Sequence, residues 1–290
     1  MRFHRSLFSS LASLALGLSL FHSAASTSRA AQRDDAASEK LGIKLSLQCY
    51  TYRALTFFET IEKAKTLGIK YLEVYPGQKL KPDSNDKTGY PMSDEVAAAI
   101  LKKLDEAGMK LSGFGVAPVP TEEAAARKMF EWAKKMGISV LVTETTPTAV
   151  HDKLCEEFNI RMALHNHPKT WPPDDVLKAC EGHSKLIGSC SDTGHWMRRN
   201  LNPVEQFKKL QGRVDHSHFK DLNEYGTGHD LPWGTGKGDA KGMLAELARQ
   251  GYKGYVSAEY EYGNVAELDE NLPKCVAFFD TEMKALAAGK

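Results

Sequence analysis

Two imidazoles two residues apart, His165 and His167, end the apolar run Met162, Ala163, Leu164 just ahead of Pro168. In an extended segment positions i and i+2 face the same way, so both rings point to one side. Similar endings recur along the chain. Glu73 closes one apolar run and Glu144 another; Asp192 and His195 close a third. His216, His218 and Lys220 share one parity in a fourth, and Glu259 and Glu261 share one in a fifth. A lone histidine at a strand end is more often a hydrogen-bonded structural residue than a ligand. Acids and imidazoles brought to one rim by successive strands are a different case. In a dry site their charges need compensation, and a divalent cation supplies it. Carboxylate and imidazole donors without sulfur suit Mn, Zn, Co or Mg. On this reading His216 lies one layer deeper as an outer partner of the ligands. Glu261 is solvated beyond its strand, and Asn166 and Thr143 face the helices. The triplet His165, Asn166, His167 also spells a nuclease motif, but a strand running into Pro168 lacks the hairpin and helix that motif needs.

Such residues need strands to hold them. Apolar runs occur at 44–52, 67–77, 107–118, 136–147, 158–168, 183–195, 211–221 and 250–263. Helical patterns lie between and after them, at 57–67, 93–108, 121–137, 148–158, 173–182, 202–212, 238–250 and 266–288. Caps mark several ends: Ser93 before early acids, Asn202 followed by Pro203, and Gly108 and Gly212 as stops. Continuous apolar strands suit a parallel sheet covered on both faces. Eight strand–helix alternations within one domain's length predict an α/β fold, a (β/α)8 TIM barrel over 41–290. An open doubly wound sheet is the other candidate, but no glycine-rich phosphate loop follows the first strand. In a barrel the reactive groups belong at the C-terminal strand ends, where the acids and histidines stand.

The chain has 290 residues. Its start is basic, with Arg2, His4 and Arg5, then apolar from Leu7 to Phe21, then small at Ser23 to Ser26. That order reads as a signal peptide over 1–25, and 26–40 as a flexible lead-in. The apolar run is too short for a spanning helix, so a secreted or periplasmic protein with no stable membrane span is expected. Of 38 Lys and Arg, three fall in residues 1–30, which hold no acid; the remainder has 35 against 37 Asp and Glu. That balance argues against nucleic acid as a partner. The five cysteines form no C-x-x-C pair and sit in apolar surroundings, as small core residues do.

The motifs DTGH (192–195), HFKD (218–221), DLPWGTGKGD (230–239) and SAEYE (257–261) resemble the sugar phosphate isomerase/epimerase family of xylose-isomerase-like barrels. The similarity spans about residues 44–285 and is uninformative about substrate. The resemblance implies one divalent metal, held by a Glu on strand five, an Asp on strand six, a His on strand seven and a Glu on strand eight. The last three match Asp192, His218 and Glu259, and a substrate-contacting histidine matches His195. The chain departs at strand five, where His165 replaces the usual Glu; Glu144, one strand earlier, is placed to supply the missing carboxylate. The expected metal set is therefore His165, Asp192, His218 and Glu259 with Glu144.

The expected chemistry is proton abstraction next to a sugar carbonyl through a metal-stabilised enediolate. Glu259 or Glu144 acts as base, and His195 or Lys220 as proton donor or oxyanion partner. A cation beside Lys220 would lower its pKa. Replacing one metal-bound Glu by His165 disfavours two-base epimerisation and favours isomerisation, or a lyase reaction that cleaves 3-keto-glycosides by β-elimination. His167, Trp171, Trp196 and Trp233 are expected to contact the saccharide. A metal-dependent hydrolase and a non-catalytic saccharide-binding protein are the remaining alternatives.

Overall fold

The computed structural model describes residues 33–289. After a short helix α1 (Ala36–Leu41), strands and helices alternate as β1 (Ile43–Gln48), α2 (Phe57–Thr66), β2 (Tyr71–Val74), α3 (Asp94–Ala107), β3 (Lys110–Phe114) and α4 (Glu123–Lys135). The pattern continues with β4 (Val140–Thr143), α5 (Ala149–Phe158), β5 (Arg161–His165), α6 (Pro173–Ala179) and β6 (Ile187–Asp192). Two helices, α7 (Thr193–Arg198) and α8 (Pro203–Lys209), precede β7 (Val214–Phe219). The chain then forms α9 (Ala240–Arg249), β8 (Gly254–Ala258) and the long α10 (Val265–Ala287). All eight strands pair in parallel and in order, and β1 closes on β8. This is the (β/α)8 barrel the alternation predicts.

Strand parity sorts the side chains. Leu45, Leu47, Leu72, Leu111, Leu141, Met162, Leu164 and Ile187 join one continuous core with the helices. Val140, Val142, Ala163 and Cys190 form a separate apolar cluster. They share parity with Glu144, His165 and Asp192, so this cluster lines the lumen beneath those strand ends. All five cysteines are buried and free. Helix starts follow the local chemistry: Thr56 and Glu59 make a reciprocal capping box on α2, and Asn264 and Glu267 one on α10.

The lead-in expectation needs correction. Residues 33–40 are not a loose tail: Arg33 pairs with Asp280 at 2.8 Å and with Asp35 at 2.9 Å, and α1 packs against α10. The sequence AASEKL favours a helix, and Gly42 ends it at φ 76°. The expected signal peptide and the rest of the lead-in lie outside the described residues. Among the described residues no helix is long and apolar enough to cross a membrane.

Candidate active site

Asp192 shows how local folding builds the site. It ends β6 and is the N-cap of α7, its Oδ1 accepting the His195 backbone N–H at 2.7 Å. The DTGH spacing is thus a cap followed by its third helical residue. The cap fixes the carboxylate, and Oδ2 is left to face the lumen. Asn166 holds the same point from β5, bonding Asp192 through both its amide groups at 2.9 and 2.8 Å. Thr193 ties Lys220 of the next strand in the same reciprocal way, at 2.7 and 2.8 Å.

His165, Asp192, His218 and Glu259 converge, with one donor atom from each inside 4.8 Å of the others. His165 Nε2 lies 3.0 Å from His218 Nδ1 and 3.7 Å from Asp192 Oδ2; His218 Nδ1 lies 3.2 Å from Glu259 Oε2. Ligands ~2.1 Å from a tetrahedral centre stand ~3.4 Å apart, so these spacings fit a small divalent cation. His165 Nε2 and His218 Nδ1 face each other across a gap that a shared proton or a cation must fill. Burial lowers the pKa of His165 and favours the neutral ring a metal requires.

Charge tells the same story. Lys220 Nζ donates to Asp192 Oδ2 at 2.6 Å and Glu259 Oε2 at 2.5 Å, and stands 3.1 Å from Glu261 Oε2. Three carboxylates stand around this ammonium, and Arg198 lies 3.8 Å from the outermost, Glu261, so the acids are concentrated at the quartet. Burial works against the Lys220 ammonium, but Asp192, Glu259 and Glu261 hold its pKa well above the ordinary lysine range. Burial likewise opposes an ionised Glu259, yet Lys220 and His218 bring its pKa down to about 2.

Beneath the quartet sits Glu73, fully buried on β2. It accepts from His218 Nε2 at 2.7 Å and from His216 Nε2 at 2.6 Å. With Nε2 committed as donor, His218 presents Nδ1 to the quartet. Gly113 of β3 makes the room, since a Cβ there would stand 3.3 Å from Glu73 Cγ. Burial works against a charged His218, but Cys190, Glu73 and Glu259 push its proton affinity well above the imidazole norm. Cys190 also lies near His165 and His218, and burial pushes its thiol up to about 12.

Above the quartet opens a cavity of about 370 Å³, within the roughly 300–1,000 Å³ typical of small-molecule sites. His165, His167, His195, His218, Lys220, Glu259 and Glu261 line it from β5–β8; Gln48, Tyr50, Tyr75, Pro76, Gly115 and Val116 line it from β1–β3. Glu144 is not part of the quartet. It accepts from His167 Nδ1–H at 2.7 Å and from the Thr170 hydroxyl, one step outward, in a group with His165 and His167. His195 Nδ1 accepts from Arg198 at 3.3 Å, which assigns the ring proton to Nε2. Burial lowers the pKa of His195 to about 3, so the ring is neutral.

Three aromatic expectations need correction. Trp196 lies in α7 and Trp233 in the loop after β7; both are buried, against Phe207 and Phe219. Trp171 donates its indole N–H to the Glu144 carbonyl at 3.0 Å and lines a neighbouring groove rather than this cavity. The aromatic wall is instead Tyr50 and Tyr75, packed edge to face at 5.1 Å. Glu261, expected in solvent, reaches the cavity because it keeps the parity of Glu259. The glycine-rich loop is also explained: Asp221 accepts the backbone N–H groups of Gly234, Gly236 and Gly238 at 2.9–3.0 Å. A Cβ on Gly236 would stand 2.3 Å from Asp221 Oδ1, so the loop folds on its own carboxylate.

A family model described as xylose isomerase-like TIM barrel matches residues 61–281. The chain belongs to this family. Among solved structures it is similar to an uncharacterized protein from Parabacteroides distasonis ATCC 8503, with 30% identity and a TM-score of 0.67, covering 83% of this chain and 99% of that one. It is also similar to a xylose isomerase domain protein from Alicyclobacillus acidocaldarius, with 15% identity and a TM-score of 0.64, covering 85% and 99%. A D-psicose 3-epimerase shares 14% identity and a TM-score of 0.63, covering 83% and 99%. No curated protein matches the sequence. In this xylose isomerase-like barrel the converging side chains stand at the C-terminal strand ends, where the fold carries its chemistry.

Proposed function

We propose that the protein is a divalent-metal-dependent carbohydrate isomerase or lyase that removes a proton from the carbon next to a sugar carbonyl. The observation that carries this reading is the convergence of His165, Asp192, His218 and Glu259 under a cavity walled by further acid–base groups. A divalent cation held by those four residues would supply Lewis-acid stabilisation of negative charge gathering on a substrate oxygen. The remaining steps belong to the chain. Glu259, already bonded by Lys220 and facing His218 in the quartet, is better suited to ligation than to taking a proton from carbon. His167 is the better base: Glu144 accepts its Nδ1 proton, which leaves Nε2 free to take a proton from carbon. That role replaces the simple substrate contact expected of His167. The C–H electron pair moves toward the carbonyl oxygen, where neutral His195 offers its Nε2–H.

The cavity favours one-sided chemistry. Its β1–β3 wall presents amide, phenol and backbone groups, and Tyr75, burial first among the causes, is pushed up to about 12. No carboxylate or imidazole among the described lining residues faces the substrate from that side. Epimerisation by a second base on the far face is thus unsupported. Isomerisation returns the proton to the neighbouring carbon; β-elimination expels a leaving group that takes the proton from His167. Lys220 is the single cation among the described lining residues and is already engaged by three carboxylates, which favours an uncharged saccharide over a sugar phosphate. Export from the cytoplasm, expected from residues 1–25, agrees with that choice.

The test is incubation of zinc- or manganese-loaded protein with ketoses and 3-keto-glycosides in deuterium oxide, with and without chelator. Chelator-sensitive deuterium incorporation next to the carbonyl, or release of the aglycone, is expected. Protein that takes up no metal and exchanges no proton in any of these sugars would refute the proposal.

A further inference from the structure

Lys220 is fully buried, and its ammonium bonds the two carboxylates that the quartet needs for a cation. An ammonium and a divalent cation cannot both bond the same two oxygens at close range, because they repel each other. Without the ammonium, Asp192 and Glu259 would face each other buried and uncompensated, a costly arrangement. Glu261 offers a third acceptor 3.1 Å from Nζ, with Arg198 3.8 Å away as its other cation; it is 28% exposed and stands on the cavity side of the pair. The lysine stem lies over Gly194, where a Cβ would approach Cδ to 2.6 Å, so no side chain at that position crowds it.

We propose that Lys220 and Glu261 exchange counter-ions at the cation site. Without the cation Lys220 bridges Asp192 and Glu259; when a divalent cation takes those carboxylates, Nζ withdraws onto Glu261. Glu261 is a positioning residue that acts through Lys220. The inference rests on the metal reading above and adds a residue to it that touches no cation. Metal affinity is then set by a competition inside the chain.

Zinc titration of the whole protein by calorimetry at ~0.15 M salt, where exposed charges are screened, tests this. Lys220→Met removes the competitor and is expected to tighten zinc binding ~10-fold or more, while Glu261→Gln strands the ammonium and weakens it ~10-fold. In the Lys220→Met background, Glu261→Gln is expected to change affinity less than ~3-fold, because its effect passes through the lysine. Equal effects of Glu261→Gln in both backgrounds would mean a direct charge effect and overturn the exchange, leaving the metal site standing. No zinc uptake by any of the four proteins would overturn both readings. If Lys220→Met does not fold, lysine 15N NMR of the wild type decides: a buried ammonium resonance that shifts with the first equivalent of zinc supports the exchange. One that stays in place through saturation overturns it.

Discussion

Asp192 is the residue where fold and proposed chemistry can be separated by two substitutions. Oδ1 caps α7 and Oδ2 faces Lys220 and the quartet. Asn caps a helix about as well as Asp, whereas Ala loses ~1 kcal/mol. Either change removes one charge-assisted hydrogen bond from Lys220, worth ~1.5–3 kcal/mol, though Glu259 and Glu261 still hold the ammonium. Asp192→Asn and Asp192→Ala should therefore both be folded but differ by the cap alone. For a domain of this size that difference is ~2–4 °C in Tm, with Ala the lower. Zinc affinity should behave differently, since a ligand is lost in both. The loss should exceed the roughly 10–100-fold that follows from changing an outer partner, and be nearly equal in the two variants. Calorimetric zinc titration and thermal unfolding on the same samples read both quantities. An Asp192→Asn protein that binds zinc within ~3-fold of wild type would show that Oδ2 is only a partner of Lys220, and the quartet would not be a metal site.

Other perturbations test other parts of the arrangement. Glu73→Gln should weaken zinc binding by ~10–100-fold without removing a ligand, because His218 loses the carboxylate that orients it; unchanged affinity would make Glu73 a purely structural residue. His167→Gln should slow carbon-bound deuterium exchange by ~10²–10⁴ with zinc content unchanged, as measured by NMR and metal analysis. Zinc affinity should fall as pH drops, because the raised proton affinity of His218 sets a proton against the metal at Nδ1. Asp230, buried with one oxygen unpartnered, has its pKa raised to about 7, first by burial. The folded chain therefore binds a proton there that the unfolded chain releases near its ordinary pKa of 3.8, and stability falls as pH rises between those values. Asp230→Asn removes that dependence, so its gain in Tm should be larger at pH 8 than at pH 5; equal gains would refute the assignment.

Much of the barrel and of its reactive rim was legible from periodicity, whereas picking the quartet out of that rim took the family resemblance. A period of two puts His165, Asp192, His218 and Glu259 at strand ends on the lumen side, and the alternation of strands with capped helices says that those ends meet. The same rule should have brought Glu261 inward with Glu259. Leaving Glu261 to solvent overlooked that the shared parity runs on beyond the last ladder pairs at Ala258. Glu73 carried a signal too, as a lone acid in the run YLEV, but its partners on β7 lie across the barrel and sequence spacing does not reveal them. The tryptophans misled because large aromatics suit sugar faces and helix packing equally well. Trp196 falls in the helix that Asp192 caps, and a helix of six residues with Gly194 inside it has little pattern of its own. Tyr50 and Tyr75 could not be placed beforehand, since each follows a strand end in a loop whose direction tertiary contacts decide.

The lumen also explains why the reactive groups are confined to one half of the rim. Towards the lumen on β1–β3 the residues are small or committed: Ser46 and Ser112 bond each other at 2.7 Å, and Gly113, past a register shift that leaves Ser112 extra, yields its space to the Glu73 side chain. Glu73 is drawn down onto His216 and His218 instead of rising into the cavity. On β5–β8 the same level carries His165, Asp192, His218 and Glu259 above the dry cluster of Val140, Val142, Ala163 and Cys190. That floor excludes water, so the charges above it must be balanced locally. On the proposed reading a divalent cation would be held on the β5–β8 side, with His167 and His195 beside it. In the proposed reaction a substrate oxygen directed to that side would expose one face of its neighbouring carbon to a base, which would favour proton return to the same face, or elimination.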